Sequence, residues 1–306
     1  MMLSLIVPCF NEEEALPYFY QEATKVIKNM DVDYELLFID DGSSDFTLDI
    51  LRMLSKEDEH VHYISFSRNF GKEAAMYAGF SNSIGDYVVV MDADLQHPPT
   101  LIPQMLSVIE SGEYDSVAAQ RVNRQGESKI KNWFSKKFYK IINMISDLEI
   151  VDGASDFRMM TRKMIISILS MEEYNRFLKG IYGWVGYRTY YLPYENIERI
   201  AGKSKWNYWK LFKYAINGIL DYSNVPLMIA SFFGILVTIV SIIMMLFIIA
   251  KKVIFGFSIP NWTFMLCVVI FLEGIQMLFI GVVGQYIAKI YLETKHRPLY
   301  IIQERK

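Results

Sequence analysis

Apolar runs alternate with stretches of helical periodicity from the start of the chain. Residues 3–8, 34–39, 61–66, 87–91 and 114–119 read as strands. Helices are expected between them. The first opens at Glu12-Glu13-Glu14 beneath an Asn11 cap, where acids suit the positive end of the helix dipole. The second follows Asp45 to about residue 56, and two more cover 72–83 and 100–111. "LLFI" and "YVVV" are apolar on both faces, as in a parallel sheet covered by helices on both sides. Repeated strand–helix units predict a doubly wound α/β domain, whose ligands bind beyond the carboxyl ends of the strands.

From Ser128 the pattern changes. Over 128–146, Ile130, Phe134, Phe138, Ile141 and Ile145 recur at helical spacing beside Lys129, Lys136, Lys137 and Lys140. Over 206–220, Tyr208, Phe212, Ala215 and Ile219 take one side, with Lys210, Lys213 and Asn217 on another. Both predict basic, aromatic amphipathic helices suited to a membrane interface. Packing on the sheet is an equal alternative for the first. Residues 225–250 then carry no charged side chain, and 262–288 carry only Glu273. At ~1.5 Å per residue each reaches about 40 Å, enough to cross a hydrocarbon core of ~30 Å with some tilt. Two C-terminal membrane helices are therefore expected, with Glu273 in a helix-packing role mid-span.

No basic segment precedes the short apolar run at the start, so no leader peptide is expected. Lys205, Lys210 and Lys213 precede the first apolar stretch, and Lys289, Lys295, Arg297, Arg305 and Lys306 follow the second. Only Lys251 and Lys252 lie between. That bias predicts a multi-pass protein of the cell (plasma) membrane, with both hairpin ends and the N-terminal two thirds cytoplasmic. Cys9 and Cys267 fall in regions that do not meet, so both thiols are expected to be reduced. The net charge of −3 says little by itself, and no nucleic-acid partner is expected.

The run "YVVVMDADLQHPP" ends a buried strand on Asp92 and Asp94, then adds Gln96, His97 and two prolines that fix a turn. Two hard carboxylate donors with Gln96 suit Mg²⁺ or Mn²⁺, ions that keep waters and accept substrate phosphates as further ligands. Pro8-Cys9-Phe10-Asn11-Glu12 and Asp40-Asp41-Gly42-Ser43 close other strands, so three polar clusters are expected to converge on one rim. A turn with a helix cap is the plainer reading of the second cluster. For His97, a turn residue is the plainer reading than a ligand.

"PCFNEEE", "DDGSSD", "NFGKEAAMYAGF", "DADLQHPP", "SDFRMM" and "RIAGKSKW" occur in this order, ahead of the two apolar stretches. Together they resemble the family 2 glycosyltransferases of GT-A fold. Within these the chain looks like the polyisoprenyl-phosphate glycosyltransferases, akin to dolichol-phosphate mannose synthase and bactoprenol glucosyltransferases. The resemblance covers essentially the whole chain. It implies inverting transfer of one sugar from a nucleotide sugar, a UDP-hexose in first place, to a polyprenyl phosphate such as undecaprenyl phosphate. It places Mg²⁺ or Mn²⁺ at Asp92, Asp94 and Gln96.

By the same resemblance, Pro8, Glu12 and Asp40 hold the nucleotide base and ribose, with Asp41 and Lys72 close by. Arg121 falls at the lipid-phosphate position, with Arg124, Lys136 and Lys137 less firmly matched. Arg199, Lys203 and Lys205 fall in the loop that closes over the donor diphosphate. Asp156 falls at the catalytic-base position. A phosphate monoester has a second pKa of ~6 and is largely dianionic at neutral pH, so it barely needs a base. Orienting the acceptor or a sugar hydroxyl, or pairing with Arg158, are the other readings of Asp156.

The expected architecture is thus a GT-A (Rossmann-like, mostly parallel sheet) core over 1–127 and an acceptor region with juxtamembrane amphipathic helices over 128–224. Two transmembrane helices over 225–288 and a cytoplasmic tail over 289–306 complete it. Membrane lipids and a homo-oligomer, tetrameric by likeness to relatives, are the further expected partners. A transferase to another lipid or glycan, and a catalytically silent scaffold that binds nucleotide sugar, are the alternatives.

Overall fold

The computed structural model describes residues 1–122, 143, 144, 151, 153–195, 223, 225–255 and 262–306. The chain divides into two compact units, Met1–Gly218 with Arg297–Lys306, and Ile219–His296. The first holds one eight-stranded sheet. Its strands are β1 (Met2–Cys9), β2 (Asp33–Asp40), β3 (Val61–Phe66), β4 (Tyr87–Val90), β5 (Ser116–Arg121), β6 (Ala154–Thr161), β7 (Thr189–Tyr194) and β8 (Ile302–Arg305). They lie in the order β7-β5-β6-β4-β1-β2-β3-β8. β1 pairs in parallel with β2 and β4, β2 with β3, and β5 with β7. β6 runs antiparallel between β4 and β5, and β8 antiparallel along β3. The sheet is mostly parallel, as expected, and all five expected strands are in it.

Helices α1 (Leu16–Ile27), α2 (Thr47–Glu57), α3 (Lys72–Asn82) and α4 (Ile102–Glu110) link the first five strands, and α5 (Arg162–Leu169) and α6 (Leu178–Trp184) follow β6. Alternation along β1 shows why helices are needed on both faces. Leu3, Leu5 and Val7 join one apolar cluster with Leu16 and Phe19 of α1 and Leu51 of α2. Ile6, between them, faces Gly79 of α3, where an added Cβ would come within 2.3 Å of the Ile6 Cγ2. A side chain there would force Ile6 or α3 to shift.

Three expectations are corrected. Helix α1 starts at Leu16 rather than at Glu12. Asn11 sits at φ 53 and its Oδ1 accepts the Ser44 N–H (2.8 Å) from the next loop, so it is not available to cap a helix. The sheet is not complete within 1–127, because β6 inserts between β4 and β5 and β7 closes the edge. The C-terminal stretch is not a free tail either. After Arg297 it belongs to the first unit and adds β8 to the sheet. Glu304 accepts from the Arg52 Nε (2.8 Å) and the Tyr63 hydroxyl (3.0 Å), and Tyr300 stacks on Phe66 at 4.9 Å.

The second unit contains α7 (Val225–Phe255) and α8 (Trp262–Thr294), so both charge-poor stretches are helical. Among the described residues, Leu272–Thr294 is long and apolar enough to cross a membrane. The amphipathic helix expected over 206–220 lies outside the described residues, as does that over 128–146 except for Asn143 and Met144.

Candidate active site

Strand directions decide which residues can meet. β1, β2, β4, β5 and β7 all run the same way, so their carboxyl ends share one edge, and β6 enters the sheet at that edge. Cys9, Asp40, the turn after Val90, Arg121, Tyr194 and the start of β6 therefore border one rim. β4 and β6 are in register at Val90 and Arg158. Asp92, two residues after Val90, and Asp156, two residues before Arg158, lie on the same side of that pair, so the antiparallel register sets them opposite one another.

A single cation joins them. The Lys72 Nζ lies 2.7 and 2.9 Å from the two oxygens of Asp92 and 2.9 Å from Asp156 Oδ2. Lys72 opens α3, and the start of that helix is fixed by Asp41. The Asp41 carboxylate accepts the N–H groups of Phe70 (2.6 Å) and Gly71 (2.9 Å), which would otherwise be unpaired at a helix N-terminus. Burial opposes the Lys72 ammonium, but the Asp156 and Asp92 carboxylates outweigh it and raise its pKa. Burial likewise opposes ionised Asp156. Lys72 and Lys179 prevail, holding that carboxyl well below the usual carboxylate range. Asp156 is thus paired with Lys72, and Arg158 makes its side-chain hydrogen bonds to hydroxyls instead.

The turn after β4 presents its polar residues on one side. Asp92, Asp94 and Gln96 are half-buried, whereas the residues between them, Ala93 and Leu95, are buried, and so is His97. Leu95 takes φ 55, and the Gln96 N–H closes the turn on Asp94 Oδ1 (3.1 Å). Two carboxylates and an amide at a place that already holds an ammonium form a donor set suited to a hard divalent ion. Among the described residues, no three His, Cys, Asp or Glu side chains are grouped to hold one. His97 packs against Phe157 (5.4 Å between centroids) and Tyr194 (5.6 Å), and burial lowers its pKa. It supports the turn from beneath, which agrees with the turn-residue reading.

The end of β2 is built differently. Asp40 is 1% exposed and accepts the Ser43 N–H (3.1 Å) and the Ser65 hydroxyl (2.7 Å). Burial pushes the Asp41 carboxyl up to about 6 in spite of its two backbone bonds. Gly42, at φ 66, lies so close to the next loop that a Cβ would fall 2.4 Å from the Arg68 carbonyl carbon. The Glu12 N–H donates to Thr47 Oγ1 (2.8 Å), and Pro8 lies in β1 opposite Ile39. Arg121 ends β5, with its N–H bonded to the Gly153 carbonyl (3.0 Å). Arg199, Lys203 and Lys205 lie outside the described residues. Sequence reasoning placed Lys72 beside the donor and missed its bridge between Asp92 and Asp156. It also missed Glu73, whose carboxyl is pushed up to about 7 by burial and by the charge of Asp156.

A mostly parallel α/β sheet with half-buried acids at the carboxyl ends of its strands is the architecture of GT-A glycosyltransferases. Residues 4–169 match the family described as glycosyl transferase family 2, and the chain belongs to that family. It is 41% identical over 303 residues to the putative glycosyltransferase CsbB of Bacillus subtilis (strain 168), covering 99% of this chain and 92% of that one. It is 40% identical over 306 residues to the bactoprenol glucosyl transferase of Shigella phage SfX, covering all of both chains. Among solved structures, the glucosyl-3-phosphoglycerate synthase of Mycobacterium tuberculosis aligns with a TM-score of 0.48 at 18% identity, over 72% of this chain and 77% of that one.

Proposed function

We propose that the protein transfers one sugar, with inversion, from a nucleotide sugar to a polyprenyl phosphate such as undecaprenyl phosphate. A UDP-hexose is the donor, and the reaction takes place at the cytoplasmic face of the cell membrane. The observation that carries this reading is the likeness to a bactoprenol glucosyl transferase along the whole of both chains. α7 and α8 form its membrane hairpin; the absence of charge over 225–250 and the apolar length of Leu272–Thr294 support that role.

Pro8 and Glu12 hold the base and ribose beside Asp40, whose buried carboxylate orders the loop after β2, and Arg199, Lys203 and Lys205 close on the diphosphate. Arg121 holds the acceptor phosphate. Asp92, Asp94 and Gln96 hold Mg²⁺ or Mn²⁺, which when bound offsets charge on the leaving diphosphate as a Lewis acid. An acceptor phosphate oxygen forms the new bond to the sugar C1. The old C1–O bond breaks, and its electron pair leaves on the nucleoside diphosphate. With a second phosphate pKa of ~6 the attacking oxygen has already lost its proton. Asp156 then has nothing to deprotonate, and its depressed pKa makes it a weak base in any case. Both facts support a role in orienting the acceptor or a sugar hydroxyl.

Purified protein supplied with Mg²⁺, polyprenyl phosphate and labelled UDP-sugars or GDP-mannose should yield a lipid-linked sugar. Asp94→Asn should abolish it, by at least about 100-fold. Failure of every donor, or full rate in the variant, overturns the reading.

A further inference from the structure

Arg158 stands two residues beyond Asp156 on the same face of β6 and is only 5% exposed. Its Nη1 donates to Ser116 Oγ (3.2 Å) and Thr189 Oγ1 (3.4 Å), and its guanidinium carbon lies 4.3 Å from the centre of the Tyr182 ring. All of these partners are neutral. Asp156 acts on it only through space, its own carboxylate being bonded to Lys72. The Arg158 Nε has no partner among the described residues, and neither has the buried Tyr182 hydroxyl. A guanidinium keeps its charge throughout the working pH range, and burying one without a bonded anion is strongly unfavourable.

Arg158 and Tyr182 line a cavity of about 280 Å³, together with Lys179, Ser155, Thr189 and Tyr191, and among the described residues no carboxylate lines it. We propose that this cavity binds a phosphate monoester, gripped by Arg158 and Lys179 and hydrogen-bonded by the Tyr182 hydroxyl. Arginine supplies the planar fork that phosphate oxygens fit, and lysine a second point charge. The cavity lies at the small end of ligand sites, which suits a phosphate with the first atoms of its ester and not a whole nucleotide sugar. The same chemistry comes from two sources, a free phosphate or the head of the polyprenyl acceptor. The second source rests on the function proposed above, and would put Arg158 and Lys179 on the acceptor phosphate where that reading puts Arg121.

The test is calorimetric titration of the full-length protein in detergent with inorganic phosphate and, separately, with geranyl phosphate. Arg158→Gln and Lys179→Ala should each weaken binding about tenfold or more, with UDP affinity unchanged. Weakening for both probes identifies the phosphate group as what is recognised. Binding and weakening with geranyl phosphate alone identifies the lipid head as the source. Should Arg158→Gln fail to fold, as judged by its melting curve, Lys179→Ala decides. Unaltered affinity in the folded variants, or no binding of either probe by the unmutated protein, overturns the site. Phosphate binding without sugar transfer to polyprenyl phosphate would overturn the proposed function and leave the site standing.

Discussion

Two pairs of aspartates sit on the same rim and are used in opposite ways. At the end of β2, Asp40 and Asp41 are 1% and 3% exposed, and among the described residues their hydrogen bonds go to the Ser43, Phe70 and Gly71 N–H groups and the Ser65 hydroxyl. That pair is part of the scaffold: it joins the loop after β2 to the start of α3. Across the rim, Asp92 and Asp156 are bonded to the tip of one long side chain, Lys72, whose side chain is 41% exposed. The first pair is satisfied by groups that cannot leave without local unfolding. The second is neutralised by an ammonium on a four-carbon stem that can swing away. One half of the rim is therefore fixed, and the other can exchange its cation.

Removing Lys72 should break that contrast most severely. Lys72→Met keeps much of the side-chain length and leaves two carboxylates facing each other without the ammonium that bridges them. Transfer should fall by about 100-fold or more, because the pair no longer presents the charge arrangement that receives the donor. Affinity for Mn²⁺ without nucleotide should rise several-fold, since an ammonium no longer competes for Asp92. Calorimetry with Mn²⁺ reads the second effect separately from the rate. Unchanged metal affinity would show that Lys72 does not occupy the cation's place.

The fixed pair should answer in stability. Asp41→Ala leaves the Phe70 and Gly71 N–H groups without their acceptor at the head of α3, and should cost about 1–3 kcal/mol. Asp92→Ala, with a half-exposed partner, should barely move the thermal midpoint while eliminating transfer. Equal midpoints for the two variants would erase the distinction between the two acid pairs.

This division was only half legible in the sequence. The five expected strands could be read from short apolar runs alternating with helical patterns, and "LLFI" and "YVVV", apolar on both faces, leave little else to be. β6 escaped because Asp156 and Arg158, polar residues the site requires, interrupt its apolar pattern. β7 carries Pro193 at the sheet edge, and β8 carries Glu304 and Arg305 in what reads as a charged tail. Without β6 there is no register to set Asp156 opposite Asp92, so the bridge by Lys72 had no signal of its own. The positions of Asp92, Asp94 and Gln96 were readable; the inward turn of His97 depends on packing against Phe157 and Tyr194, which lie far off in sequence.

The smallest effect expected is a titration at the junction of the two halves. Glu73 follows Lys72 in α3 and accepts the Leu178 N–H (3.2 Å). Burial, then the charge of Asp156, pushes its carboxyl from 4.5 up to about 7. The folded state thus holds this proton more tightly than the unfolded chain does. Its stabilising contribution is complete below pH 4.5 and is lost as the pH rises through about 7. Glu73→Gln should match the unmutated protein at the acid end and exceed it above neutrality by on the order of 1–3 kcal/mol. Asp41, raised from 3.8 to about 6, adds a decline at lower pH that both proteins share, so the difference between their melting curves isolates Glu73. Repeating the comparison in an Asp156→Asn background should move the difference to lower pH, because one of the two causes holding the Glu73 proton is then gone. A difference curve that stays in place would mean that burial alone sets this carboxyl, and that the exchangeable pair does not reach it.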